Sequence, residues 1–136
     1  MTDPQETALG FVDATALYDW FAANHASADE LWIRIYRKAS GHPSVKWDDC
    51  VRASLAWGWI DGLKRSAGDT SWFQRITPRR ARSNWSARNV EIAKALIASG
   101  AMQPAGLAQV NLARRDGRWR DSRGANIKVN AVSPGA

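Results

Sequence analysis

Five arginines, Arg75, Arg79, Arg80, Arg82 and Arg88, fall between Thr70 and Val90, a stretch that contains no acid. Thr77, Ser83, Ser86 and Asn89 are interleaved with them, and Trp72 and Trp85 flank the run. A guanidinium presents a planar fork of N–H donors that matches phosphate or carboxylate oxygens two at a time. Hydroxyl and amide groups add further donors, so the chemistry this set can do is the capture of an anion. The spacing also leads Thr77-Pro78-Arg79-Arg80 into a helix start expected at Ser83–Ser86. Unpaired backbone N–H groups and the helix dipole favour negative charge there.

The same residues support other chemistry. A base stacked on an indole gains about 1–3 kcal/mol, so Trp72 and Trp85 with the arginines could hold a single-stranded nucleic acid. Asp61, in Trp59-Ile60-Asp61-Gly62, either pairs with Lys64 or Arg75 across a hairpin or serves as a base. A charge run is also what a solvated face looks like, and tryptophans in small domains mostly pack inside. His25 and His42 lack a sequence-visible acid or nucleophile partner for a triad. Asp48 and Asp49 suit a helix dipole better than a catalytic dyad. Cys50 is the only cysteine, which excludes an intrachain disulfide and a paired-cysteine metal site. No cofactor and no metal are expected.

Composition bounds the setting. The chain has 136 residues, 45% hydrophobic and 24% charged, which suits one soluble domain that folds without a metal or disulfide. Its net charge of +6 is unevenly spread. Asp3, Glu6, Asp13, Asp19, Asp29 and Glu30 precede every Lys and Arg, so a positive face or mutual neutralisation follows. The opening MTDPQETALG lacks the basic start and apolar core of a signal peptide, and no apolar run approaches ~20 residues. The expectation is a cytoplasmic protein that does not span a membrane.

The elements that must position the arginines are readable from periodicity. Asp13 caps a helix whose stripe is Leu17, Trp20 and Phe21 and which fades near Asn24–His25. Residues 31–38 alternate as a strand, with Leu31, Ile33 and Ile35 on one face and Trp32, Arg34 and Tyr36 on the other. A second helix starts near Trp47 and stops at Gly58. Residues 59–65 and 71–77 form a hairpin around Ala67-Gly68-Asp69, ended by Pro78. A third helix runs to Gly100. A fourth runs from Pro104 to about residue 115, with Asp116-Gly117 as its stop. This order predicts an α+β fold: one small domain over 1–119, a largely antiparallel sheet flanked by about four helices. Residues 120–136 read as a loose tail with a short extended piece.

These residues carry a resemblance. Glu30-Leu31-Trp32, Gly58-Trp59-Ile60-Asp61-Gly62, Phe73-Gln74-Arg75-Ile76-Thr77-Pro78-Arg79-Arg80, Trp85-Ser86 with Asn89, and Met102-Gln103-Pro104-Ala105-Gly106-Leu107 resemble the YdeI/OmpD-associated, or bacteriocin-protection, family over roughly residues 11–119. Ala81 and Gln103 depart from its usual proline and Thr/Ser cap. Its members continue past Trp119 with a helical, aromatic and basic segment that this chain lacks. Ile127 to Gly135 is instead similar to a strand-and-loop piece of short-chain dehydrogenases, without that family's Gly-rich turn or Tyr-x-x-x-Lys pair. The resemblance implies a non-enzymatic role in tolerance of bacteriocins or other stress, and it assigns no catalytic residue.

Three readings therefore stand. The first is a stress-tolerance protein whose anion site comprises Arg75, Arg79, Arg80, Arg82 and Arg88 with Asp61, Thr77, Ser83, Trp85 and Asn89. The second is a nucleic-acid module using the Trp/Arg strip, marked by steep salt dependence. The third is an enzyme on a phosphorylated small molecule with Asp61 as base, marked by a pocket that brings Asp61 to the arginines.

Overall fold

The computed structural model of the protein describes residues 3–119; the expectations for residues 120–136 lie outside them. A one-turn helix α1 (Pro4–Thr7) and a two-residue strand β1 (Leu9–Gly10) lead into helix α2 (Ala14–Asn24) and strand β2 (Leu31–Tyr36). Helix α3 (Trp47–Ala56), the hairpin β3 (Trp59–Ser66) and β4 (Ser71–Pro78), and helices α4 (Ala87–Ser99) and α5 (Pro104–Arg115) complete the order. The sheet runs β1-β2-β4-β3; β1 is parallel to β2 and the other pairings are antiparallel. The protein is thus a small α+β domain. Among the described residues no helix is long and apolar enough to cross a membrane.

Helix boundaries follow their caps. The Asp13 carboxylate accepts the Ala16 N–H at 2.9 Å, and the Asp49 carboxylate accepts the Lys46 N–H at 3.0 Å. Gly100 takes φ 82°, a left-handed C-terminal stop for α4. α4 starts at the late end of the expected Ser83–Ser86 range: Ser86 is its cap, and Ser83 lies outside it in the preceding loop. The elements missing from the sequence reading are α1, β1 and a 3-10 turn at Lys38–Ser40, all too short to show a period.

Alternation on β2 sorts the two faces of the sheet. Leu31, Ile33 and Ile35 join Leu17, Phe21, Cys50, Trp59 and Ile76 in a core between sheet and helices. A second core, Val51, Leu55, Trp85, Val90, Leu96, Val110 and Trp119, lies among α3, α4, α5 and the segments flanking them. The hairpin register shifts between Asp61 and Lys64. The fully buried Gln74 fills that irregularity, donating to the Gly62 carbonyl at 2.9 Å and the Leu63 carbonyl at 3.3 Å.

Candidate functional site

The chain leaves β4 through Pro78, which is opposite Trp59 in the register, and the Arg79 N–H then bonds the Gly58 carbonyl at 2.9 Å. A tight turn follows, closed by the Ser83 N–H on the Arg80 carbonyl at 3.1 Å. Between this turn and the sheet edge lies a cleft of about 270 Å³, lined by Ile60, Thr77, Pro78, Arg80, Arg82 and Ser83. No acid lines it. Two arginines and two hydroxyl residues line it together with the apolar Ile60 and Pro78, a donor-rich lining suited to an anion.

Neighbouring arginines part company here. Arg80 is exposed, whereas Arg79 turns inward and is only 5% exposed. Its guanidinium lies 4.1 Å over the Trp85 ring, and its Nη1 donates to Ser83 Oγ at 3.0 Å and the Asn84 carbonyl at 2.9 Å. Burial, then the like charge of Arg118, pushes Arg79 down to about 10, with Asp61 acting the other way. Arg79 therefore stays cationic at neutral pH.

The wall behind Ser83 comes from the far end of the domain. After Gly117 at φ 82° the chain reverses, and the Arg118 N–H bonds the Ala113 carbonyl at 3.0 Å. Arg118 Nη1 donates to the Ser83 carbonyl and its Nε to Asp116 at 2.7 Å. That bond holds the Asp116 carboxyl below the usual range. Trp85 and Trp119 meet edge-on at 5.2 Å, and Arg114 lies 5.1 Å from the Trp119 ring centre. Cations thus bracket a pair of indoles, joined to the cleft through the Arg79 bond to Ser83.

The profile of one protein family, the domain of unknown function DUF8412, matches residues 9–109. The chain belongs to that family. The match runs from β1 into α5 and contains all six cleft residues. Arg118 and Trp119 lie beyond it. No curated protein and no solved structure matches the chain.

Of the residues singled out in the sequence, Thr77, Arg80, Arg82 and Ser83 share the cleft, and the buried Arg79, bonded to Ser83 and lying over Trp85, adjoins it. Others go elsewhere. Arg75 pairs with Glu30 at 2.7 Å, so the Asp61–Arg75 pair expected across the hairpin is corrected. Asp61 stands opposite Ile76 and faces the helices, whereas Arg75, one residue before Ile76, faces the other way. Lys64, the other expected partner, sits 5.1 Å over Trp72. Asp61 is instead close enough to Cys50 and Arg79 to act on both through its charge. Arg88 lies over Trp47 at 4.9 Å and 3.7 Å from Asp48, on α3. The Asn89 N–H is taken by the Ser86 cap at 3.0 Å. The α4 N-terminus therefore does not line the cleft.

Trp72 and Trp85 do not form one strip either. Trp85 packs in the helical core, and Trp72 has Arg37 and Lys64 each 5.1 Å from its ring centre. Arginine–aromatic contacts do recur on the sheet face opposite the helices: Arg34 lies 5.2 Å from Tyr36 and 5.7 Å from Phe73, and Arg65 lies 5.9 Å from Trp32. A larger cleft of about 440 Å³ beside Tyr18, Asp19 and Gln103 has one acid and no cation in its lining, which does not suit an anion. The sequence reading missed Arg118, whose only signal was a cation just past a helix stop.

Cys50 is fully buried, and its thiol is pushed up to about 12 by burial, then by Asp49 and Asp61. It is a core side chain and no nucleophile. An unfolded thiol ionises near its ordinary value of 9.0. Below that pH both states keep the proton and Cys50 adds no pH dependence. From there up to about 12 only the unfolded state loses it, so stability falls as pH rises. Labelling with a chromogenic disulfide reagent at pH 8 should show no fast native phase and one thiol in denaturant; a fast native phase would contradict a sealed Cys50.

Proposed function

We propose that the protein binds a small phosphate- or carboxylate-bearing anion in the cleft of Thr77, Arg80, Arg82 and Ser83. The observation that carries this reading is the lining: two arginines and two hydroxyl side chains, with no carboxylate among the lining residues. Arg80 and Arg82 supply forked donors and charge, and Thr77 and Ser83 supply hydroxyl donors. Ile60 and Pro78 give an apolar floor that strengthens both. Asp61 faces the helices and is absent from the lining, which favours binding without a general base over catalysis. The resemblance to YdeI/OmpD-associated proteins supports placing this binding in tolerance of bacteriocins or related stress.

Inorganic phosphate should raise the melting temperature in a saturable way, and Arg80→Ala with Arg82→Ala should abolish that rise while the unliganded protein melts unchanged. Losing two charge-assisted contacts weakens binding by about 100-fold or more. Equal phosphate stabilisation in the double variant removes the reading. A labelled mixed-sequence single strand belongs in the same titration. Nucleic acid is the second reading, supported by the Arg34, Tyr36 and Phe73 contacts on the sheet face away from the helices. Strand binding that is steep in salt and indifferent to the double substitution would put that reading first.

A further inference from the structure

Where β2 ends, its face away from the helices carries a fixed cation beside an open stack of two rings. The Arg34 guanidinium lies 5.2 Å from the Tyr36 ring, and its Nε donates to the buried Ser71 hydroxyl at 3.0 Å. The register sets Arg34 opposite Phe73 and Tyr36 opposite Ser71, so these residues share one face. Arg34 is only half-buried, and its terminal nitrogens stay open to solvent without a partner among the described residues. The second ring comes from the loop after β2. The turn over Lys38–Ser40 reverses the chain at Gly41, φ 79°. The Ser40 hydroxyl accepts the His42 N–H at 3.1 Å, and the Ser44 hydroxyl accepts the Tyr36 N–H at 3.0 Å. These bonds tie the loop back, and the imidazole stacks on Tyr36 with 4.3 Å between centroids and 19° between planes. His42 is exposed despite the stack, so its outer side is uncovered. The surroundings are positive: Arg37 and Lys38 follow Tyr36, are exposed, and form no ion pair among the described residues. Glu30 is committed to Arg75, which leaves Asp69, in the hairpin turn, as the carboxylate at this end of the sheet.

We infer that a single-stranded nucleic acid seats on this face, one base extending the Tyr36–His42 stack and a neighbouring phosphate resting on Arg34. This rests on the nucleic-acid reading above and gives it a place and a base-stacking residue. A guanidinium held beside an uncovered aromatic face matches the two parts of a nucleotide, an anion and a planar ring. In a duplex both faces of each base are already stacked, so the third ring has to come from a single strand. An acidic peptide or an anionic lipid surface brings the charge without the ring. The seat is also separate from the anion cleft. It lies at the Ser71 end of β4, whereas the cleft lies at the Pro78 end, roughly 20 Å away at the rise of an extended strand. The two sites therefore do not share a side chain.

Anisotropy of the whole chain with a labelled oligothymidylate and with an abasic strand of equal length tests this. The two strands carry the same phosphates and differ in their bases alone. Oligothymidylate should bind about tenfold or more tighter, the margin expected for one stacked base. His42→Ala should erase that margin and leave abasic binding unchanged, and His42→Phe, which restores a ring, should recover it. Arg34→Gln should weaken both strands and lower the salt slope by about 0.7, the share of one phosphate contact. If Arg34→Gln does not fold, the two variants of the exposed His42 carry the test. An undiminished margin in His42→Ala, or no margin in the wild type, overturns the seat while the nucleic-acid reading stands. Phosphatidylserine vesicles bound in preference to either strand would assign the face to a membrane and overturn it as well. If neither strand binds the wild type at low salt, the seat and the nucleic-acid reading fall together.

Discussion

Trp119→Ala should destabilise the protein by about 3–5 kcal/mol, the usual cost of deleting a large buried aromatic. For a domain of this size that lowers the melting temperature by on the order of 15 °C. Trp119 has no exposed surface although it follows the last helix. Its ring packs edge-on against Trp85 and under Arg114, in the core that holds Val110 and Ala113. Removing it leaves a cavity among these core side chains. The family match stops at residue 109, yet Val110, Ala113 and Trp119 are all fully buried. A fragment ending at residue 109 should therefore fail to fold cooperatively. Denaturant unfolding of Trp119→Ala checks the argument, and a loss below about 1 kcal/mol would show that the Trp85–Trp119 pair is peripheral.

The domain was largely legible because each helix carries its own boundary chemistry. Asp13, Gly100 and Pro104 mark ends locally, and the alternation from Leu31 to Tyr36 assigned two faces that the register confirms. Asp61 shows where such reading stops. A hairpin drawn from sequence puts Asp61 near Arg75, but facing is decided by which residue stands opposite, and Ile76 does. The irregularity at Gly62–Leu63 that separates Asp61 from Lys64 depends on Gln74, whose role nothing local announces. The arginines divide in the same way. Their density was visible, while the burial of Arg79 and the exposure of Arg80 follow from Trp85 and Ser83 lying beneath the chain. Arg118 was out of reach because its contact with Ser83 spans 35 residues.

Gly106→Ala should be among the most damaging single-methyl changes in the chain, by roughly 3 kcal/mol, at the upper end of overpacking costs. In an exposed helix the same change stabilises by about 1 kcal/mol. Here the added Cβ would stand 2.3 Å from the Ala56 carbonyl oxygen, 2.5 Å from that of Leu55 and 2.6 Å from Met102 Sδ. Met102 can swing away, but the two carbonyls end α3 and cannot. Ala56 also accepts the Gln103 N–H at 3.0 Å, so separating the helices breaks the bond that starts α5. The opposing surface is also close: a Cβ on Gly58 would lie 2.9 Å from the Ala105 carbonyl oxygen, at a φ of 81°. Glycine on both sides is what lets α5 cross the end of α3 this closely. Because the Gly58 carbonyl holds the Arg79 N–H, movement at this crossing reaches the segment that leads into the proposed anion cleft. Gly100→Ala is the control. Its φ is 82° but no atom lies within 4 Å of the added methyl, so only the backbone cost of about 1 kcal/mol is expected. Thermal melts of the two variants with and without phosphate decide the matter. Equal losses of stability would mean that the α3–α5 crossing can widen freely. A larger loss in Gly106→Ala, accompanied by weakened phosphate stabilisation, would tie the cleft to that crossing.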